Sequence, residues 1–190
     1  YKRQPKYSMK TLTYHEATPG HHHQIAHSLE NDELTLYRRF GYGTSAFSEG
    51  WALYAERLSL EAGLAPDPYD ELGILQSEIF RAVRLVVDTG IHYKKWTREE
   101  AIDYMKAKTG MSDTECRVEI ERYIVWPGQA LSYKVGMIKI LELRAKAMNA
   151  LGDRFNIKDF HSAVLDNGNP PLFIVEQMID EMIAKGLETS

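Results

Sequence analysis

The chain has a single cysteine, Cys116, among 190 residues. One cysteine excludes an internal disulfide and any cysteine-rich zinc site. No apolar run approaches the roughly 18 residues of a membrane-spanning helix, and no signal-peptide pattern is present. There is no basic excess either. Lys and Arg number 23 against 27 Asp and Glu, a net charge of −4 with the signs interspersed, so nucleic acid is not an expected partner. Paired strands with hairpin chemistry, internal repeats and low-complexity stretches are also missing. The chain opens Tyr1-Lys2-Arg3 without Met, close to its most informative segment. The expectation is a C-terminal fragment of a larger protein, with any targeting sequence and an N-terminal partner segment lying outside it.

The segments present read as one all-α domain over residues 1–190, long enough for a sizeable core. Helices are predicted over about 8–17 and 21–30, with a loop and one helical turn over 31–45 around Gly41-Tyr42-Gly43. Phe47 to Ala62 forms the next helix, stopped at Gly63. Asp67-Pro68 supplies an N-cap with proline at the first helical position, and that helix runs to Thr89 before Gly90. Thr97-x-x-Glu100 and Ser112-x-x-Glu115 are capping-box patterns that open two more. Pro127-Gly128 precedes a long helix over about 129–150. A short one runs from Asn156 or Ile157 to Leu165, and a last amphipathic one ends near Ala184.

Five of the seven histidines fall between positions 15 and 27, in Tyr14-His15-Glu16-Ala17-Thr18-Pro19-Gly20-His21-His22-His23-Gln24-Ile25-Ala26-His27. A His-Glu pair followed by further His is how a zinc site is built with its own general base. In the usual His-Glu-x-x-His arrangement both imidazoles leave one helix face a turn apart. Here the i+4 position from His15 is Pro19, which cannot ligate. On an unbroken helix i+6 points away, and i+7 lies about 10.5 Å further along the axis. The helix must therefore break between Ala17 and His21. Pro19 lacks an N–H and disfavours αR at Thr18, and Gly20 accepts unusual dihedrals. A bulge at Thr18-Pro19-Gly20 brings His21 into the position of second ligand, with His22 as the alternative. Ser48-Glu49-Gly50-Trp51-Ala52-Leu53-Tyr54-Ala55-Glu56 lies at an offset suited to a carboxylate ligand from another helix, Glu49. Glu56 is read either as a carboxylate orienting an imidazole or as half of a surface pair with an arginine. His23 and His27, spaced i, i+4, offer a further metal pair but are expected to be surface or packing residues.

The strings HEATPGHHHQ and FSEGWALYAERL resemble a bacterial domain-of-unknown-function family whose hallmarks are HEAxPGHHxQ and SEGWALYxE, and many of whose members are described as lipoproteins. Arg84 to His92, Trp96 to Ala101 and Glu121 to Lys134 look like that family's later segments, so the resemblance covers most of the chain. The family in turn resembles the gluzincin zinc metallopeptidases, from whose motif the Pro-Gly insertion departs. The resemblance implies a mainly helical, gluzincin-type fold, a bacterial source and a secreted or lipid-anchored location in the cell envelope; without it the default is cytoplasmic.

The expected chemistry is metal-assisted hydrolysis of a peptide or small acyl substrate. One zinc ion would sit on His15, His21 and Glu49, and Glu16 would act as general base. Adjacent helical residues point about 100° apart, so Glu16 cannot easily join its neighbour on the same ion and is placed to act from the side. Donors to the oxyanion are sought among Tyr133, Tyr123, His92 and Arg122, and Arg122 or Lys134 would bind a substrate carboxylate. Two rival classes remain: a non-catalytic metal-binding or structural domain, and an amidase or esterase using the same centre. Retention of Glu16 favours catalysis, because a structural zinc site has no use for a base.

Overall fold

The structure, a computed structural model, describes residues 5–41 and 43–188; Tyr42, within the predicted loop, and Tyr1 to Arg3 lie outside them. Among the described residues there are ten α-helices, two 3-10 turns and no strand. They are α1 (Ser8–Glu16), α2 (His21–Glu30), α3 (Leu36–Phe40), α4 (Ser45–Glu61), α5 (Pro68–His92), α6 (Arg98–Thr109), α7 (Asp113–Val125), α8 (Ser132–Leu151), α9 (Ile157–Leu165) and α10 (Leu172–Glu188).

The local signals act as anticipated at the helix starts. Thr97 and Glu100 close a capping box on α6, as Ser112 and Glu115 do on α7. Asp67 accepts from the Tyr69 N–H with Pro68 at the first helical position of α5, and Asn156 caps α9. Such caps satisfy N–H groups that a helix leaves unpaired, each worth about 1 kcal/mol.

Two helix ends differ from expectation. Helix α5 continues past Gly90 to His92, because Gly90 is a contact position rather than a stop. A Cβ there would lie 2.5 Å from the Trp96 ring. The chain turns instead at Lys95, in the left-handed region at φ 61°, after which Trp96 folds back so that its N–H donates to the Gly90 carbonyl. Helix α10 likewise runs beyond Ala184 to Glu188.

Two cores share the molecule. Phe47, Trp51 and Tyr54 of α4 meet Met137, Ile140 and Leu143 of α8, over Phe160 of α9 and Val175 and Ile179 of α10. Val83 and Val87 of α5 meet Ala101 and Met105 of α6 and Cys116, Ile120 and Tyr123 of α7 in the second. Helices α4 and α8 cross in backbone contact: a Cβ on Gly50 would stand 2.5 Å from the Gly136 Cα, and one on Gly136 would stand 1.9 Å from the Ala46 carbonyl oxygen. No side chain fits between them. This fixes Glu49, next to Gly50, against Tyr133, one turn before Gly136.

His161 of α9 borders the first core, its ring edge-on to Trp51 at 5.5 Å and its Nε2 2.8 Å from the Tyr54 hydroxyl. Burial, with the Arg144 charge adding to it, pulls the imidazole pKa down to about 4 from 6.5. A base whose pKa is depressed on folding contributes stability that is complete above the unfolded pKa and lost as pH falls toward the folded one. The window is therefore between pH 6.5 and about 4. Discounted for the ring's partial exposure, the loss is about 1–2 kcal/mol. Urea unfolding of wild type and His161→Phe at pH 7.5 and 4.5 measures it. The wild type is expected to lose that much more than the variant, and equal losses would remove His161 as the cause.

Candidate metal centre

The centre is assembled where α1 stops. The Ala17 N–H still donates to the Thr13 carbonyl, and the chain then turns through a cis Thr18–Pro19 peptide to restart as α2 at His21. Gly20 serves this turn in two ways. Its φ/ψ pair of −76° and −135° is neither helical nor extended, as anticipated, and a Cβ would lie 1.9 Å from the His15 carbonyl oxygen and 2.4 Å from that of Tyr14. The elbow is pinned to α4 by the Trp51 indole, which donates to the Pro19 carbonyl at 2.8 Å.

The result brings His15 of α1, His21 of α2 and Glu49 of α4 together, with one ligand atom of each within 4.8 Å of the others. The Glu49 Oε2 lies 3.1 Å from His21 Nε2 and 3.5 Å from His15 Nε2, and the two imidazoles meet edge to face at 4.8 Å. A tetrahedral ion with bonds of about 2.0–2.1 Å spaces neighbouring donors about 3.3 Å apart. Two imidazole nitrogens and a carboxylate at these separations fit zinc in both chemistry and size.

The other face of His15 is equally ordered. Its Nδ1 stands 2.7 Å from Glu56 Oε1, a carboxylate only 1% exposed. Of the two sequence readings of Glu56, the structure holds the orienting one. A carboxylate on Nδ1 fixes the tautomer so that Nε2 is the free lone pair. Arg81 of α5 is the nearby cation, its Nη2 4.0 Å from the same oxygen. Behind this pair, a cavity of about 610 Å³ opens between α1, α5 and the α6–α7 turn, with His15, Glu56 and Arg81 reaching its wall.

Electrostatics favour a cation at the cluster. Burial pushes the Glu49 carboxyl up, but hydrogen bonding to His15, His21 and Tyr133 outweighs it and draws the pKa down to about 2. For His15, burial lowers basicity, and the hydrogen bonds to Glu49 and Glu56 more than reverse that. The stacked Tyr133 ring lies 6.2 Å from His15 at 17°. The Arg84 guanidinium also packs over this ring, 4.1 Å from its centroid. Arg84 is only 2% exposed and donates to Gln129, whose amide in turn reaches the Tyr133 hydroxyl.

The remaining candidates, Glu16 apart, lie outside the cluster. His22 and His23 are exposed on α2, outside the cluster. His27 pairs with Asp166 at 2.7 Å. His92 is 2.9 Å from the Tyr123 carbonyl, and Tyr123, part of the second core, donates its hydroxyl to Glu119. Arg122 and Lys134 are engaged with Glu119 and Glu78. Glu16 ends α1, exposed, with no side-chain hydrogen bond or ion pair among the described residues. Sequence reasoning missed Arg81, Arg84 and Gln129. Only the Arg81-x-x-Arg84 spacing on a helix face foreshadowed them, and that spacing is too common to be a signal.

Comparison with solved structures places this arrangement in context. Over 95% of the chain, the fold matches the "putative lipoprotein" from Colwellia psychrerythraea with a TM-score of 0.92 and 52% identity, covering 31% of that protein. A "putative lipoprotein of unknown function" from Shewanella oneidensis matches over 92% of the chain with a TM-score of 0.85 and 29% identity, covering 32% of its own length. The chain thus spans about a third of either relative. No curated protein matches it. Residues 1–179 match the family model described as "Bacterial protein of unknown function (DUF885)". With the fold shared over nearly its whole length and the family model matched over residues 1–179, this chain belongs to that bacterial family, DUF885.

Proposed function

We propose that the chain carries the metal centre of a zinc-dependent hydrolase, acting on peptides. The observation that carries this reading is the convergence of His15, His21 and Glu49 from three helices at ligand spacing, with a buried carboxylate on the far nitrogen of His15. Zinc held there supplies acidification of water and polarisation of a carbonyl. Glu16, adjacent to His15 and unengaged, takes the proton from the attacking water and passes it to the leaving amine. Tyr133, in contact with both the His15 ring and the Arg84 guanidinium, donates to the oxyanion. His92 and Tyr123 have no part in this reading, since their polar atoms are engaged in the second core. The descriptions of both structural relatives support a setting in the cell envelope or outside the cell. In a chain of their length, the remainder would supply the opposite wall of the substrate cleft.

The test begins with the second imidazole. After metal is added back and excess removed, His21→Ala is expected to retain much less zinc than His22→Ala or His23→Ala, measured by elemental analysis. The reverse ranking would reassign the ligand. Metal-loaded protein is then offered a mixed peptide library alongside ester and simple amide substrates. Cleavage of peptide bonds supports the reading. Turnover of esters alone would make the protein an esterase, and a metal-loaded protein with no turnover would be a binding domain.

A further inference from the structure

Helix α5 carries a bare seam. Leu72, Leu75, Ile79 and Val86 are all exposed, at 49%, 48%, 48% and 37%, and Tyr93 just past the helix end is 83% exposed. With Ala82 and Thr89 between them, these positions are 72, 75, 79, 82, 86, 89 and 93, alternating steps of three and four. That is the a/d spacing of a helix seam, and over this stretch it runs about 32 Å. The opposite face of α5 is already in use: Ile74, Val83, Arg84, Val87 and Asp88 are buried against the rest of the molecule. A helix with a second apolar stripe, regularly spaced and out of contact, presents an unpartnered packing face.

The length of the structural relatives points to an occupant. In both, the part shared with this chain is under a third of the polypeptide, so roughly two thirds lies outside it and is available to cover faces the shared part leaves open. We propose that, in a chain of the relatives' length, the α5 seam is the docking face for an amphipathic helix from that remainder, laid along residues 72–93 with its own Leu- or Ile-rich a/d stripe. The seam is separate from the metal centre, so the proposal stands or falls independently of the hydrolase reading.

Footprinting tests it directly. Carbene labelling of the leucine, isoleucine and valine side chains is compared between residues 1–190 alone and a chain of the relatives' full length. Labelling at Leu75, Ile79 and Val86 is expected to be lost in the full-length protein and retained in residues 1–190. Equal labelling in both overturns the proposal. So does loss in residues 1–190 that grows with protein concentration, which would mean a second copy, or that requires added lipid vesicles. A Leu75→Lys/Ile79→Lys variant adds a second reading. Two charges on an exposed stripe are expected to leave the melting temperature of residues 1–190 unchanged, while on a covered stripe they lower that of the full-length protein by at least about 5 °C. An unchanged full-length melting temperature also overturns it.

Discussion

Glu16→Gln should keep its zinc and its fold while losing hydrolysis by a factor of about 10²–10⁴. The side chain is nearly isosteric, sits exposed at the last position of α1, and makes no hydrogen bond or ion pair among the described residues, so the fold has nothing to lose there. A carboxylate can take the proton from water as it attacks, and an amide cannot. Single-turnover rates on a cleaved peptide, with zinc content measured on the same preparation, separate the outcomes. A variant that loses metal makes Glu16 a ligand. A variant with full zinc and full rate moves the base to another residue. Glu16→Asp retains the proton acceptor but retracts it by one methylene, so an intermediate rate marks a positional role that Gln alone would not reveal.

The other large effect concerns the ion itself. His15→Ala is expected to abolish stoichiometric zinc binding, and Glu49→Ala to weaken it by at least about 100-fold, read by competition with a chromogenic chelator. His15 loses two things at once: the Nε2 donor and the only hydrogen-bonded partner that Glu56 has among the described residues, the second Glu56 oxygen being buried without one. Left with Arg81 at 4.0 Å as its charge partner, the buried carboxylate should also destabilise His15→Ala by about 1–3 kcal/mol in the absence of metal. Glu49 is partly exposed but is hydrogen-bonded to His15, His21 and Tyr133, so its removal costs affinity and some stability as well. Unchanged zinc content in either variant removes that residue from the ligand set. Equal stability of His15→Ala and wild type without metal would mean that water reaches Glu56.

Much of this fold can be read from local chemistry. The capping boxes at Thr97 and Ser112, the Asp67-Pro68 start and the Gly63 stop are short-range devices, and the helices obey them. The misread end of α5 is one where a glycine answers to a residue outside its helix. Gly90 reads as a helix stop but sits against the Trp96 ring, whereas Gly20, read as a dihedral device, is one and also leaves no room for a Cβ beside the His15 carbonyl. Local pattern cannot distinguish a glycine needed for its freedom from one needed for its lack of a side chain. The cluster of His15, His21 and Glu49 was legible because His-Glu with a proline at i+4 demands a break, and the break restores convergence. The Arg84–Tyr133–His15 stack was not legible. It joins three helices that approach one another only in the folded core.

The contact of α4 and α8 at Gly50 and Gly136 has one further consequence. Two helices whose backbones touch cannot slide closer, so Glu49 and Tyr133 form a fixed jaw. His21 rides on a separate segment, joined to α1 by the Thr18–Gly20 elbow and tied to α4 through Trp51. It is the adjustable jaw. With a metal bound, a change in ionic radius would then be taken up on the α2 side, leaving the carboxylate and the phenol in register. Substitutions at the elbow should alter which metal is preferred, and substitutions at the glycine crossing should alter whether there is a folded protein at all.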